Sequence, residues 1–228
     1  GYNLRGTVRA KLLDGLLGHA DGGGWMPRWT APGGVDIMVG TSSDVVFADA
    51  IVKGVPLARP ERAWSTAVRN ATVPSPTTRF GRTGLRSGIF AGYINRETHE
   101  GLSWSLESAF CDHAIASMGR ALRSRSGLPE EVVRQIDDAL PYLESRAASY
   151  VRLFDSQSGF FRGRDAGGSF SDEFDPLLWG GDYTETNAWG MRFAVPHDPV
   201  GLGALLGGAD RLEAALDEYF RIPESARP

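Results

Sequence analysis

The chain has 228 residues, 42% of them hydrophobic and 23% charged, with a formal net charge of −4. Such a length suits one globular domain with a sizeable core, and the acidic balance excludes a polyanionic partner such as nucleic acid, because no basic surplus exists to neutralise phosphates. The one cysteine, Cys111, leaves no internal disulfide to form, and no run of about 18 apolar residues is present to span a membrane.

In chain order, Leu4, Val8, Leu12, Leu13, Leu16 and Leu17 form an apolar stripe at helical spacing, closed by Gly18. HADGGGWMPRWTAPGG is a loop, its Gly and Pro incompatible with a regular element. TSSDVVFADAIVKGV predicts a second helix, capped at Thr41, Ser42 or Ser43, with Asp44 in its first turn and Gly54 at its end. Arg59 to Asn70 predicts a third, with Pro60 in its first turn. Residues 71–100, rich in Pro, Thr, Arg and Gly, read as irregular. Ser103 to Leu122 carries Leu106, Phe110, Ala114, Met118 and Leu122 on one helical face. Leu128-Pro129 opens a long helical stretch to Val151, which Pro141 kinks or divides. Residues 154–176 read as loop or short hairpin. Three shorter helices follow near 183–194, 199–206 and 209–219, with Asp198-Pro199 as cap and first-turn Pro and Gly207-Gly208 as the break between the last two. About eight helices joined by long loops, with little strand signal, suit an all-α toroid or barrel of helix pairs better than a four-helix bundle; connections of this length are uncommon unless functional.

Two loops carry exposed-looking aromatics: GWMPRW, with Trp25 and Trp29, and WGG, with Trp179. Rings on loops at one end of a helical scaffold suit the CH faces of a sugar, and equally serve to anchor long loops to a core. Among the acids, Asp44 is explained by the helix dipole and Asp198 by capping. His113 and Cys111, mid-helix, read as structural. The four histidines show no metal-ligand spacing, and there is no GxSxG, P-loop or dinucleotide fingerprint.

GGDYTETNAWGMRFAVPHD holds the acid that stands out, Glu185, between two threonines and ahead of Asn187 and Trp189. Asp182 and Glu185 fit a capping box. In a helix, Glu185, Trp189 and Phe193 would also share one face, so that an indole could desolvate the carboxyl and raise its pKa, as a general acid requires. Spacing leaves both readings open.

Several stretches, in order, resemble glycoside hydrolase family 92: GWMPRW, SSDVVFADAIVKGV, GYINRE, SWSLESAFCDHAIASMGRAL, LFDSQSGFFRGRD, FDPLLWGGDYTETNAWGMRFAVPHDPVGL and LEAALDEYF. The resemblance runs from about residue 1 to 219, and TE-x-NAW followed by VPHD is its most specific part. It implies a calcium-dependent, inverting exo-α-mannosidase whose catalytic domain is an (α/α)6 barrel behind an N-terminal β-sandwich. Glu185 then falls on the general acid, Asp44 on a sugar-contacting residue, Trp25, Trp179 and Trp189 on the wall of the sugar subsite, and Asn187 on a further substrate-binding residue. The implied substrate is a terminal α-mannose, α-1,2-linked, on an oligosaccharide or glycoprotein glycan, and the implied location is secreted, periplasmic or cell-surface. A non-catalytic carbohydrate-binding or scaffold domain, or another toroid glycosidase, is the competing class.

Two positions depart from the family pattern: Thr186 replaces a usual Gly, and Gly190 a usual Gln. Both shape the space beside the acid and so bear on linkage preference. The family's Asn-Glu-Pro calcium motif and late Asp-rich segment with the base lie beyond the matched stretch, so the resemblance places no metal ligand in this chain. The expectation is part of one helical catalytic domain, without the sandwich or the rest of the barrel, and inactive by itself.

Overall fold

The computed structural model describes residues 2–222, with the side chains of residues 2–5 and 7 outside the description. Among the described residues there are nine α-helices: α1 (Tyr2–Gly18), α2 (Ser42–Val52), α3 (Pro60–Thr72), α4 (Leu85–Ala91), α5 (Gly101–Arg123), α6 (Glu130–Ala147), α7 (Ala188–Met191), α8 (Pro199–Leu206) and α9 (Ala209–Tyr219). With them are two short 3-10 helices, His19–Asp21 and Ser149–Leu153, and two antiparallel ribbons, β1 (Trp29–Thr30) with β2 (Gly34–Val35) and β3 (Phe154–Asp155) with β4 (Phe160–Phe161).

The helix boundaries follow local chemistry. Pro60 stands in the first turn of α3, where its missing N–H leaves no bond unmade. Asp198 caps α8, its Oδ1 accepting the Gly201 N–H at 2.8 Å, and Gly207 ends that helix in the left-handed conformation. The ribbon β3–β4 is the hairpin expected after residue 153.

Helix α5 is the spine. Its C-terminal half contributes Ile115, Met118 and Leu122 to one core cluster, with Leu17, Phe47, Ile51, Trp64, Ile136 and Leu143 from α1, α2, α3 and α6. Its N-terminal half contributes Leu102, Leu106 and Ala109 to a second, with Tyr150, Phe161, Tyr183, Val195 and Leu202. Because it is enclosed on all sides, α5 buries residues well beyond the single face its spacing predicted.

Four expectations need correction. Residues 85–91 of the supposedly irregular stretch form α4, bracketed by Gly84 and Gly92 at positive φ; a side chain at Gly84 would meet Ile94 Cγ2 at 2.4 Å, so the entry turn requires glycine on two counts. Helix α6 runs unbroken through Pro141, which lies on the exposed face, where water can serve the carbonyl its missing N–H leaves free. The stripe of α1 splits: Leu17 is buried and Leu13 and Leu16 pack beside it, whereas Val8 and Leu12 are exposed and the Leu4 side chain lies outside the described residues. The helix expected at 183–194 shrinks to α7, and this change remakes the surroundings of Glu185.

Candidate active site

Residues 180–186 form a tight loop over the N-terminus of α5. Gly180 and Gly181 take positive φ, Tyr183 N–H closes back on Gly180 O at 3.2 Å, and Gly180 N–H donates to Thr186 O at 3.0 Å. The Tyr183 ring is buried, its hydroxyl donating to Phe161 O at 2.9 Å. At the crest is Glu185, exposed, with φ 50°. A non-glycine residue in that region costs roughly 1–3 kcal/mol and persists where flanking bonds over-determine the backbone; here Thr184 N–H is bound by Ser103 Oγ at 2.9 Å and Thr186 O by Gly180.

The capping-box reading fails. Asp182 does not cap a helix; Asn187 does, its Oδ1 accepting the Gly190 N–H at 3.2 Å at the start of α7. Glu185 therefore does not share a helical face with Trp189 and Phe193, and Trp189 does not shield it. Trp189 instead packs edge-on against Phe160, ring centroids 4.8 Å apart, with the Arg192 guanidinium over its face.

The other tryptophans divide. Trp25 is 5% exposed, with the Arg69 guanidinium over its ring, so it anchors its loop. Trp179 is 46% exposed, one residue before the acid loop, with an open face. The first turn of α5 joins the two loops: Arg28 of GWMPRW stacks over Trp104 at 4.8 Å, and the preceding residue, Ser103, holds the acid loop. Beside that loop lies a cleft of about 450 Å³ between Arg96, Glu97, Arg162, Phe174 and Asp182. Burial raises the Asp182 carboxyl above its ordinary range, with Arg96 opposing.

Asp44 does not reach solvent. It is 1% exposed, its oxygens accepting from Thr41 Oγ1 at 2.6 Å and Asn70 Nδ2 at 2.9 Å, with Arg82 Nη2 at 3.7 Å. Burial pushes its carboxyl up to about 6 against the pull of Arg82. The Cys111 thiol is pushed up to about 12, also by burial, which leaves it protonated and inert. The rings of His113 and His197 lie 5.4 Å apart, and burial lowers both pKa values, leaving them neutral at pH 7. No group of three or more His, Cys, Asp or Glu side chains among the described residues could hold a metal ion.

The two departures at the site touch each other. A Cβ added at Gly190 would lie 2.1 Å from Thr186 Oγ1, so the side chain at 186 fills the room that a larger residue at 190 would need. Gly190→Ala is expected to lower thermal stability, and Thr186→Gly to restore most of that loss in the double variant. A double-mutant cycle by thermal melting checks this, and additive losses would refute it. Sequence reading missed Ser103, Arg82 and the burial of Asp182; the S-x-S spacing at the start of α5 was the one visible hint.

Residues 4–228 match the profile of the glycosyl hydrolase family 92 catalytic domain. A solved family GH92 inverting mannosidase of Bacteroides thetaiotaomicron superposes with a TM-score of 0.83 at 28% identity, over 92% of this chain and 27% of its own. A family GH92 α-mannosidase of the same organism, solved in complex with mannoimidazole, gives 0.76 at 26% identity, over 96% of this chain and 28% of its own. A protein of Arthroderma benhamiae described as an uncharacterized secreted glycosidase is 26% identical over 208 residues, 78% of this chain and 26% of that protein. The chain thus spans about a quarter of the length of these relatives. Matched to that profile from residue 4 to residue 228, the chain belongs to glycosyl hydrolase family 92.

Proposed function

We propose that this chain is part of an (α/α)6 catalytic barrel of an exported, inverting exo-α-mannosidase that removes terminal α-1,2-linked mannose from oligosaccharides or glycoprotein glycans, with Glu185 as general acid. The observation that carries the reading is the placement of Glu185: an exposed carboxylate at positive φ, on a loop fixed by hydrogen bonds on both sides. Residues in such conformations cluster at active sites. In inverting hydrolysis one carboxyl protonates the leaving oxygen while a second, roughly 6.5–9.5 Å away, activates water on the opposite face of the ring. Glu185 takes the first role. Trp179, with its open face, forms the sugar wall, and Asn187 fixes the start of α7 behind the acid. The base and the calcium ligands belong, in this reading, to the part of the protein outside this segment.

A second reading has a specific observation behind it: Asp182, half-buried with a raised pKa beside the cleft, has the environment expected of a proton donor. The experiment for the overall reaction is hydrolysis of an α-1,2-mannobiose by the intact protein, followed by proton NMR with and without a calcium chelator. β-Mannose is expected first, with turnover lost on chelation and restored by calcium. First appearance of α-mannose, or no mannose release, would reject the reading.

A further inference from the structure

We infer that Ser103 is a positioning residue for the general acid: it latches the acid loop onto α5, and the loop in turn caps that helix. The inference rests on the assignment of Glu185 above. Helix α5 has 23 residues and no side-chain cap; the residue before it, Glu100, sits at φ 58°. The leading N–H groups of a helix have no partner within it. Here the acid loop supplies carbonyls: Glu100 N–H donates to Gly181 O and Ser103 N–H to Asp182 O, both at 3.2 Å. Ser103 Oγ closes the circuit by accepting Thr184 N–H at 2.9 Å, one residue before Glu185. Ser103 is 0% exposed, so water cannot replace it. The helix therefore dictates where the acid sits, and does so through a side chain that never reaches substrate.

Two neighbours make the anchor stiff. Gly101 lies so close to the preceding turn that a Cβ there would meet Asn95 O at 2.2 Å. Ser105 Oγ accepts Ile94 N–H at 2.8 Å, and its one proton has Gly101 O at 2.8 Å as the nearer acceptor and Ile94 O at 3.1 Å as the alternative. S-W-S thus fastens two loops to one helix turn, Ser103 the acid loop and Ser105 the 94–100 turn.

The test compares two leaving groups in the intact protein. Protonation matters for a poor leaving group such as methanol and little for 2,4-dinitrophenolate, so misplacing the acid harms the first reaction selectively. Ser103→Ala, and Ser103→Cys with its weak acceptor, are expected to lose about 100-fold in kcat/KM on methyl α-mannoside, the loss that a displacement of about 1 Å can cause. Both should stay within about threefold of the parent on the dinitrophenyl mannoside, and Ser103→Thr, which keeps the hydroxyl, should recover the methyl reaction. Equal losses on both substrates, as from general damage, would overturn the latch. So would parental rates in both variants while Glu185→Gln is inactive on the methyl substrate. Parental activity of Glu185→Gln would instead overturn the acid assignment, and the latch with it. Activity on the dinitrophenyl substrate also reports folding, and Ser103→Cys, which keeps an atom at the γ position, serves if Ser103→Ala does not fold.

Discussion

Glu185→Gln is expected to lower kcat/KM on α-1,2-mannobiose by about 10²–10⁴-fold, the usual contribution of a positioned general acid. Gln keeps the size and hydrogen bonding of the side chain but has no proton to give. Because Glu185 is exposed and holds no other element in place, the variant should melt within about 1 °C of the parent, as surface substitutions away from special features usually do. Sugar affinity should survive, so titration calorimetry with mannose would separate lost chemistry from lost binding. Asp182→Asn provides the contrast. If Asp182 is the donor, its variant loses turnover and Glu185→Gln keeps it. Such a reversal would reject the assignment of Glu185.

Those outcomes turn on a feature that local sequence misstates. D-Y-T-E has the spacing of a capping box, and a helix beginning there would have put Glu185 beneath Trp189. What prevents it is tertiary: the N-terminus of α5, some 80 residues earlier in the chain, binds the backbone of the loop and holds Glu185 at positive φ. No window around residue 185 contains that information. Where the deciding chemistry is local, the reading was good. Asp198-Pro199, Pro60 and Gly207 delimit their helices through their own side chains and backbone preferences. Aromatic loops lay between the two cases: a Trp among Gly and Pro can face inward or outward, and only the packing of Arg69 on Trp25 against the open face of Trp179 separates them. The family resemblance singled out Glu185 without specifying how its loop is held.

Arg82→Leu is expected to destabilise the fold by about 3–5 kcal/mol, the cost of stripping one partner from a buried ion network. Arg82 lies in the stretch that reads as irregular, yet its side chain is fully enclosed. Its Nη1 donates to Asp112 Oδ1 at 2.7 Å and its Nε to Thr41 Oγ1 at 3.4 Å, with Asp44 Oδ2 3.7 Å from Nη2. Asp112 is also bound by Arg146 from α6 at 2.9 Å, and Asp44 by Asn70 from α3. The network therefore ties α2, α3, α5 and α6 to the segment before α4, and Leu at 82 would leave Asp112 with Arg146 and strip Asp44 of its guanidinium partner. The pH dependence follows from Asp44, whose folded pKa is raised by burial to about 6, above its unfolded value. A raised carboxyl pKa means that the folded state holds more protons, so the contribution of Asp44 to stability is complete below the unfolded value and is lost as pH rises through about 6. Without Arg82 the cation that lowers that pKa is gone, the folded value moves higher, and the loss extends towards neutrality. Urea unfolding should thus show a larger deficit for Arg82→Leu at pH 7.5 than at pH 5.5, and Asp44→Asn in the same background should flatten the difference. A deficit that grows on acidification would mean that Arg82 does not govern the charge on Asp44.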